Sequence, residues 1–323
     1  MVKSNLMSNK SKKQTIDIVI PVYNEAGVVE QTHASICKVI DELPYEFTVF
    51  YVDDGSTDGT CDSLRSLTDK RIRVLELSRN FGHQAALTAG MDNTTAEIVI
   101  TMDSDGQHPP EMIPKMIQLI QQGFDVVQAQ RIDDTPGYSF KKVTSELFYF
   151  LLNIISGTQI HPGAADFRAL SRQAMDAVKA MPEYHRFLRG MISWMGFSSV
   201  LLPYHEPSRV AGTSKYSFGM MVRLASDAIF SFSMAPLYIG LSMGGVFLLL
   251  ALGQIIYLLN IWLRGSSSQL EPGWSSLLFF LLIANGITMI VLGFIGIYVG
   301  YIFQEVKRRP IYLIKKGDKS END

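Results

Sequence analysis

The sequence predicts an α/β domain, a mostly parallel sheet covered by helices, followed by a two-helix transmembrane hairpin. Three observations predict it. Short β-branched runs alternate with helix-like segments from residue 15 to residue 131. Each of the first four apolar runs stops on a polar cluster: "PVYNE", "DDGS", "SRNFGHQ" and "DSDGQ". Two long stretches near the C-terminus are free of charge, Ala228–Leu263 and Pro272–Gln304.

The elements follow in order. The arm over residues 1–14 is polar and basic, lacks the apolar core of a signal peptide, and reads as disordered. "TIDIVIPVY" (15–23) reads as the first strand, and residues 26–42 carry helical periodicity. "EFTVFYVDD" (46–54) is a second strand, after which Ser56, Thr57 or Asp58 is available to cap a helix. "IRVLELS" (72–78) is a third strand and "GHQAALTAGMDN" (82–93) a helix. "EIVITMD" (97–103) is a fourth strand, followed by a helix with proline near its start. "DVVQAQR" (125–131) is a fifth strand.

In such sheets ligands bind beyond the carboxyl ends of the strands, which is where the polar clusters fall. The chain has no G-x-G-x-x-G after its first strand and no G-x-x-x-x-G-K-[ST], so dinucleotide oxidoreductase and P-loop chemistry are disfavoured. A net charge of -2 over 323 residues leaves no basic footprint for nucleic acid. Acids stand where those folds carry glycines and lysine. Asp103 and Asp105, one residue apart at the end of a buried strand, point to one side if the strand continues through them. Two such carboxylates suit a hard divalent cation, Mg²⁺ or Mn²⁺, shared with diphosphate oxygens. Asp53 and Asp54 end another strand inside a turn-rich "DDGSTDG" and read as both turn formers and ligands. Cys37 and Cys61 show no metal or redox spacing and read as ordinary cysteines of a reduced compartment. The six histidines show no paired metal-ligand spacing; His83 and His108 stand near the acids by position.

"VIPVYNE", "YVDDGSTDGT", "SRNFGHQAALTAGM" and "TMDSDGQHPPE" together resemble the family 2 glycosyltransferases with the GT-A fold, a Rossmann-like α/β domain. "GAADFRALSR" (163–172), "RGMISWMGF" (189–197) and "RVAGTSKYSF" (209–218) resemble the polyisoprenyl-phosphate glycosyltransferases within it. Those include the dolichyl-phosphate mannose synthases and the bactoprenol glucosyltransferases, and the two C-terminal spans are most similar to the latter. The resemblance covers roughly residues 15–310.

The resemblance implies the following roles. Pro21, Tyr23 and Glu25, with Asp53 or Asp54, lie at the nucleotide base and ribose. Asp103 and Asp105 hold the metal and diphosphate, with Gln107 beside them. Asp166 is the acceptor-side acid, and Arg209, Gly212, Ser214, Lys215 and Tyr216 form a basic segment closing over diphosphate or acceptor phosphate. A polyprenyl phosphate already carries about -1.5 to -2 charge near pH 7, so Asp166 has little need to act as a proton acceptor. Two anions must approach one another, and Arg131, Arg209 and Lys215 are the candidate cations that offset their repulsion. The expected reaction is inverting transfer of a hexose, glucose from UDP-glucose, to undecaprenyl phosphate. GDP-mannose or a UDP-aminosugar as donor stays open. So does a non-enzymatic membrane adaptor that senses nucleotide-sugar. A processive polysaccharide synthase is disfavoured because no Q-x-x-R-W motif is present.

The predicted organisation is a GT-A domain over 15–215, an interfacial helix over 216–231, membrane spans over 232–263 and 275–304, and a basic tail over 305–323. The residues 138–157 read as a second interfacial segment. Lys307, Arg308, Arg309, Lys315 and Lys316 follow the second span, which puts both termini and the catalytic domain in the cytoplasm, on the inner (plasma) membrane. Small residues in "GLSMGG" and "GFIGIYVG" favour close helix approach, and a homo-oligomer, dimer or tetramer, is the expectation.

Overall fold

The computed structural model describes residues 13–132, 164–205, 235–264 and 273–315. The chain divides into two compact units, with residues 310–315 belonging to the first and 235–264 and 273–309 to the second.

The first unit is built on a seven-stranded sheet among the described residues, in the order β3-β2-β1-β4-β6-β5-β7. The strands are β1 (Thr15–Val22), β2 (Glu46–Asp53), β3 (Ile72–Glu76), β4 (Ile98–Thr101), β5 (Val126–Ile132), β6 (Ala164–Ser171) and β7 (Ser199–His205). The helices of this unit are α1 (Val29–Ile40), α2 (Thr60–Ser66), α3 (His83–Asp92), α4 (Ile113–Gln121), α5 (Arg172–Ala180) and α6 (Leu188–Trp194), with a 3₁₀ turn at Pro110–Met112. Strand β1 lies between β2 and β4, parallel to both, and from Ile16 to Val22 it is buried on both faces. Its unbroken apolar run is what a sheet covered on both sides demands.

One strand runs against the rest. β6 is antiparallel to both β4 and β5, and β5 pairs parallel with β7. The amino end of β6 therefore lies at the edge where the parallel strands end. Thr101 Oγ1 fixes this by donating to the Asp166 carbonyl at 2.7 Å.

Two glycines set close approaches. At Gly90 of α3 a Cβ would stand 2.3 Å from Val19 Cγ1, so only glycine lets this helix lie on β1 and β2. Gly55 has φ +72°, and a Cβ there would meet the Arg79 carbonyl carbon at 2.6 Å.

Sequence and structure differ at two turns. β4 ends at Thr101, so the period-two alternation does not extend to Asp103 and Asp105. Asp105 instead sits in a turn, its Oδ1 accepting the Gln107 N–H at 3.0 Å. Helix α2 begins after Gly59 at φ +91°, with Asp58 Oδ1 accepting the Thr60 N–H at 3.0 Å.

The residues Tyr312–Lys315 belong to the first unit rather than to a detached tail. Ser78 N–H donates to the Leu313 carbonyl at 2.8 Å, and Lys315 N–H to the Glu76 carbonyl at 2.7 Å. Leu77 and Ile314 form an antiparallel bridge. Tyr312 Oη donates to Asp92 Oδ2 at 3.1 Å. Edge strand β3 is thereby covered at its carboxyl end.

The second unit contains α7 (Ala235–Leu263, 29 residues) and α8 (Trp274–Lys307, 34 residues). Gly240 of α7 packs against Val291 of α8, where a Cβ would come to 2.9 Å. Among the described residues, Ile283–Lys307 is long and apolar enough to cross a membrane. α8 continues three residues past Gln304, the predicted end of the second span.

Candidate active site

The site forms at the carboxyl edge, and three loops knit one wall of it. Asn24, at φ +54°, donates its N–H to Ser56 Oγ at 2.9 Å, and its Oδ1 accepts the Thr57 N–H at 2.9 Å. Glu25 N–H donates to Thr60 Oγ1 at 2.9 Å. Asp53 Oδ1 accepts the Ser56 N–H at 3.0 Å. Asp54 accepts the N–H groups of Phe81 and Gly82, at 2.7 and 2.9 Å, one on each oxygen. Both acids are buried. Burial, with Asp53 adjacent, raises the Asp54 carboxyl above its ordinary range, against the pull of those two N–H donors. Asp54 is thus committed to joining two loops. Pro21 is buried in β1 opposite Val52, and Tyr23 is exposed just beyond it.

Across the edge, a second group of side chains converges on Asp103. His83, the first residue of α3, places Nε2 2.8 Å from Asp103 Oδ1. His108 Nδ1 accepts the Asp103 N–H at 2.8 Å, which leaves its Nε2 3.6 Å from Asp103 Oδ2. The His108 ring is buried and stacked on Phe167, centroids 5.0 Å apart. Burial alone would raise the Asp103 carboxyl, but His108 and His83 hold it well below the usual carboxylate range. Burial would likewise lower His83; the hydrogen bond and charge of Asp103 outweigh it and push His83 up to about 9.

Asp166 enters from the amino end of β6. Its carboxylate meets the Arg168 guanidinium, Arg189 Nη2 at 3.7 Å, Gln84 Nε2 at 3.4 Å and His83 Nδ1 at 3.9 Å. Burial disfavours this carboxylate, yet Arg189, Arg168 and His83 together hold it below its ordinary value. Arg168 is 2% exposed, and among the described residues its Nε and Nη1 find no hydrogen-bond partner. Gln84 also accepts the Leu188 N–H, at 3.2 Å, which ties α3 to the start of α6.

The structure therefore brings together Asp103, Asp166 and the Asp53–Asp54 turn at one edge, with Asp105 and Gln107 in the adjoining turn. Arg131 lies near the end of β5, exposed, two strands from β4. Arg209, Gly212, Ser214, Lys215, Tyr216 and the segments 138–157 and 216–231 lie outside the described residues. Sequence reasoning gave no role to Gln84 or Arg189. Both lie inside quoted motifs, "FGHQ" and "RGMISW", so position within a motif was the available signal.

A mostly parallel sheet with carboxylates gathered at its carboxyl edge is the layout of a GT-A glycosyltransferase. The chain belongs to glycosyl transferase family 2, whose family model matches residues 17–178. The SfII prophage-derived bactoprenol glucosyl transferase of Shigella flexneri is 36% identical over 308 residues, covering 94% of this chain and 98% of that protein. The uncharacterized glycosyltransferase YkcC of Bacillus subtilis is 37% identical over 311 residues, 94% of each chain. Among solved structures, the glucosyl-3-phosphoglycerate synthase of Mycobacterium tuberculosis shares the fold at a TM-score of 0.50 and 19% identity, covering 68% of this chain and 80% of that one. The protein is a glycosyltransferase.

Proposed function

We propose that this enzyme transfers glucose from UDP-glucose to a polyprenyl phosphate, undecaprenyl phosphate, at the cytoplasmic face of the membrane. The observation that carries the reading is the constellation of Asp103, His83 and Asp166 at the carboxyl edge, in a chain matching bactoprenol glucosyl transferases over nearly its whole length. The acceptor class comes from those relatives, and glucose from their name.

Asp103 and Asp105 are the residues that would hold a divalent cation, Mg²⁺ or Mn²⁺. The donor set fits: both offer hard carboxylate oxygens, and Asp103 already engages the side chains of His83 and His108. Such an ion supplies neutralisation of the departing diphosphate. The protein's own part is to place charge. His83 and His108 fix the Asp103 carboxylate from two sides. Asp53 and Asp54 shape the nucleotide wall with Pro21, Tyr23 and Glu25.

Asp166 works here as an anchor for cations rather than as a proton acceptor. A carboxylate engaged by Arg168, Arg189 and His83 is a weak base. The acceptor phosphate is already anionic and needs none. Arg131, Arg209, Ser214, Lys215 and Tyr216 are proposed to receive that phosphate. Displacement is in line with inversion, giving a β-linked product. Helices α7 and α8 are proposed as the two membrane spans, with both termini cytoplasmic and the chain a homo-oligomer.

The test is transfer of labelled glucose from UDP-glucose to undecaprenyl phosphate in detergent, with EDTA and with Asp103→Ala and Asp105→Ala. Labelled lipid that vanishes in all three controls supports the reading. Product with GDP-mannose alone moves the donor, and an α-linked product rules out single inversion.

A further inference from the structure

A second cluster of metal-ligating side chains lies apart from the acids of the active site. His33 and Cys37 stand one turn apart on α1, and Asp69 precedes β3 at the opposite edge of the sheet. Cys37 Sγ is 3.3 Å from His33 Nε2 and 3.4 Å from Asp69 Oδ2, and His33 Nε2 is 3.4 Å from Asp69 Oδ2. Among the described residues this is the one group of three such side chains whose ligand atoms all lie within 4.8 Å of one another.

We propose that His33, Cys37 and Asp69 form a zinc site. The triangle of sulfur, nitrogen and oxygen has edges of 3.3 to 3.4 Å. Tetrahedral Zn²⁺ with bonds of about 2.0–2.3 Å sets its ligands about 3.3–3.8 Å apart, so the three atoms already span one face of that tetrahedron. Water takes the fourth position.

The surroundings are built for it. Ligation through Nε2 leaves the His33 proton on Nδ1, and Tyr51 Oη accepts it at 3.1 Å. Asp69 presents Oδ2 to the triangle, while its Oδ1 accepts from the Arg71 backbone N–H at 2.8 Å and from Arg71 Nε at 3.0 Å. Binding asks the Arg71 side chain to give up Asp69 Oδ2. Arg71 Nη2, 2.6 Å from Asp69 Oδ2 and 3.4 Å from Cys37 Sγ, and Arg71 Nε, 2.9 Å from the same oxygen, swing away together as one planar guanidinium. The Arg71 backbone N–H stays on Asp69 Oδ1, and the guanidinium turns toward Asp41 Oδ1, which Nη1 already meets at 2.6 Å.

Charge balances on binding. The Cys37 thiol releases its proton to solvent and the thiolate bonds the metal. The charges of Cys37, Asp69 and Asp41 then offset those of Zn²⁺ and Arg71. The ion clips α1 to the loop entering β3, a structural role away from the transferred sugar.

The experiment is Co²⁺ titration of the purified full chain in detergent, in the Asp103→Ala/Asp105→Ala background so that the other acids do not contribute. The expected result is one equivalent of Co²⁺ giving tetrahedral visible bands and a thiolate-to-cobalt charge-transfer band, displaced by Zn²⁺. Both are lost in Cys37→Ser and His33→Ala and retained in Cys61→Ser. Zn²⁺ also raises the melting temperature of the parent but not of His33→Ala. Asp69→Asn, which keeps shape, loses the bands as well and decides the matter if Cys37→Ser does not fold. Absence of a thiolate band in the parent, or its survival in Cys37→Ser, overturns the proposal.

Discussion

His83 Nε2 lies 2.8 Å from Asp103 Oδ1, while its Nδ1 lies 3.9 Å from Asp166 Oδ2. One imidazole on the first turn of α3 therefore links the two acids that the resemblance assigns to opposite halves of the reaction. Removing it should disturb both. His83→Ala is expected to lower sugar transfer by about 10–100-fold, the usual cost of losing a group that orients a metal-binding carboxylate. His83→Gln should recover part of that. Steady-state kinetics at several Mn²⁺ concentrations check it, the variant needing more metal for half-maximal rate.

Arg168 and Asp166 form a buried pair, and they should behave as one. Asp166→Ala leaves the Arg168 charge unpaired and is expected to cost about 3–5 kcal/mol of domain stability. Replacing both, as Asp166→Leu/Arg168→Met, should restore much of the stability and none of the activity. Thermal melts and transfer assays on the same preparations separate the two effects.

The same pair sets a pH dependence. The folded carboxyl of Asp166 is depressed below its unfolded value, so its contribution is fully present above the unfolded value, about 3.9, and is lost as pH falls through the folded one. Melting temperature should therefore fall below about pH 4, and more steeply in the parent than in Asp166→Leu/Arg168→Met. Equal slopes between pH 5 and pH 3 would remove Asp166 from the account.

The thiols should be slow to alkylate. With no metal bound, burial, aided by Asp69, pushes Cys37 up to about 11; burial, aided by Glu76, pushes Cys61 up to about 12. Only the thiolate reacts, so at pH 8.5 iodoacetamide should modify both far more slowly than a free cysteine of pKa about 8.5. Denaturant should abolish the difference. Peptide mass spectrometry after timed quenching reads both sites.

Gly90→Ala should destabilise the domain by about 1–3 kcal/mol, since its new methyl would stand on Val19. Gly55→Ala meets backbone instead, at Arg79, in a conformation that side chains avoid. It should displace the loop that Asp54 holds, so nucleotide affinity drops further than melting temperature does. Isothermal titration with UDP, beside melts of both variants, distinguishes the outcomes.

The pattern of what the sequence reveals has physical causes. β1, β2, β3, β4 and β5 are legible because each is an apolar run stopped by polar residues, and their observed bounds fall within a few residues of those expected. β6 is not, because Asp166 and Arg168 break its apolar pattern and are taken into the fold as partners, Asp166 also meeting Arg189, Gln84 and His83. β7 carries Pro203, which reads as a strand breaker and is tolerated because β7 is the last strand of the sheet. At the site, the acids announce themselves and His83 stands near them by position, whereas Gln84 and Arg189 acquire meaning only when α3 and α6 are brought to Asp166. The metal-like grouping of His33 and Cys37 shows a helical spacing of four, but Asp69 joins it from another part of the chain.

The return of Leu313–Lys315 to the edge of β3 also orders events during synthesis. Those residues leave the ribosome after α7 and α8, so the sheet that carries the catalytic edge stays unfinished until both long helices have been made. A nascent chain halted within either helix holds a catalytic domain with an open strand edge, available to pairing with other chains. Completion of the enzyme is thus coupled, by a few backbone hydrogen bonds, to completion of the segments that follow the domain.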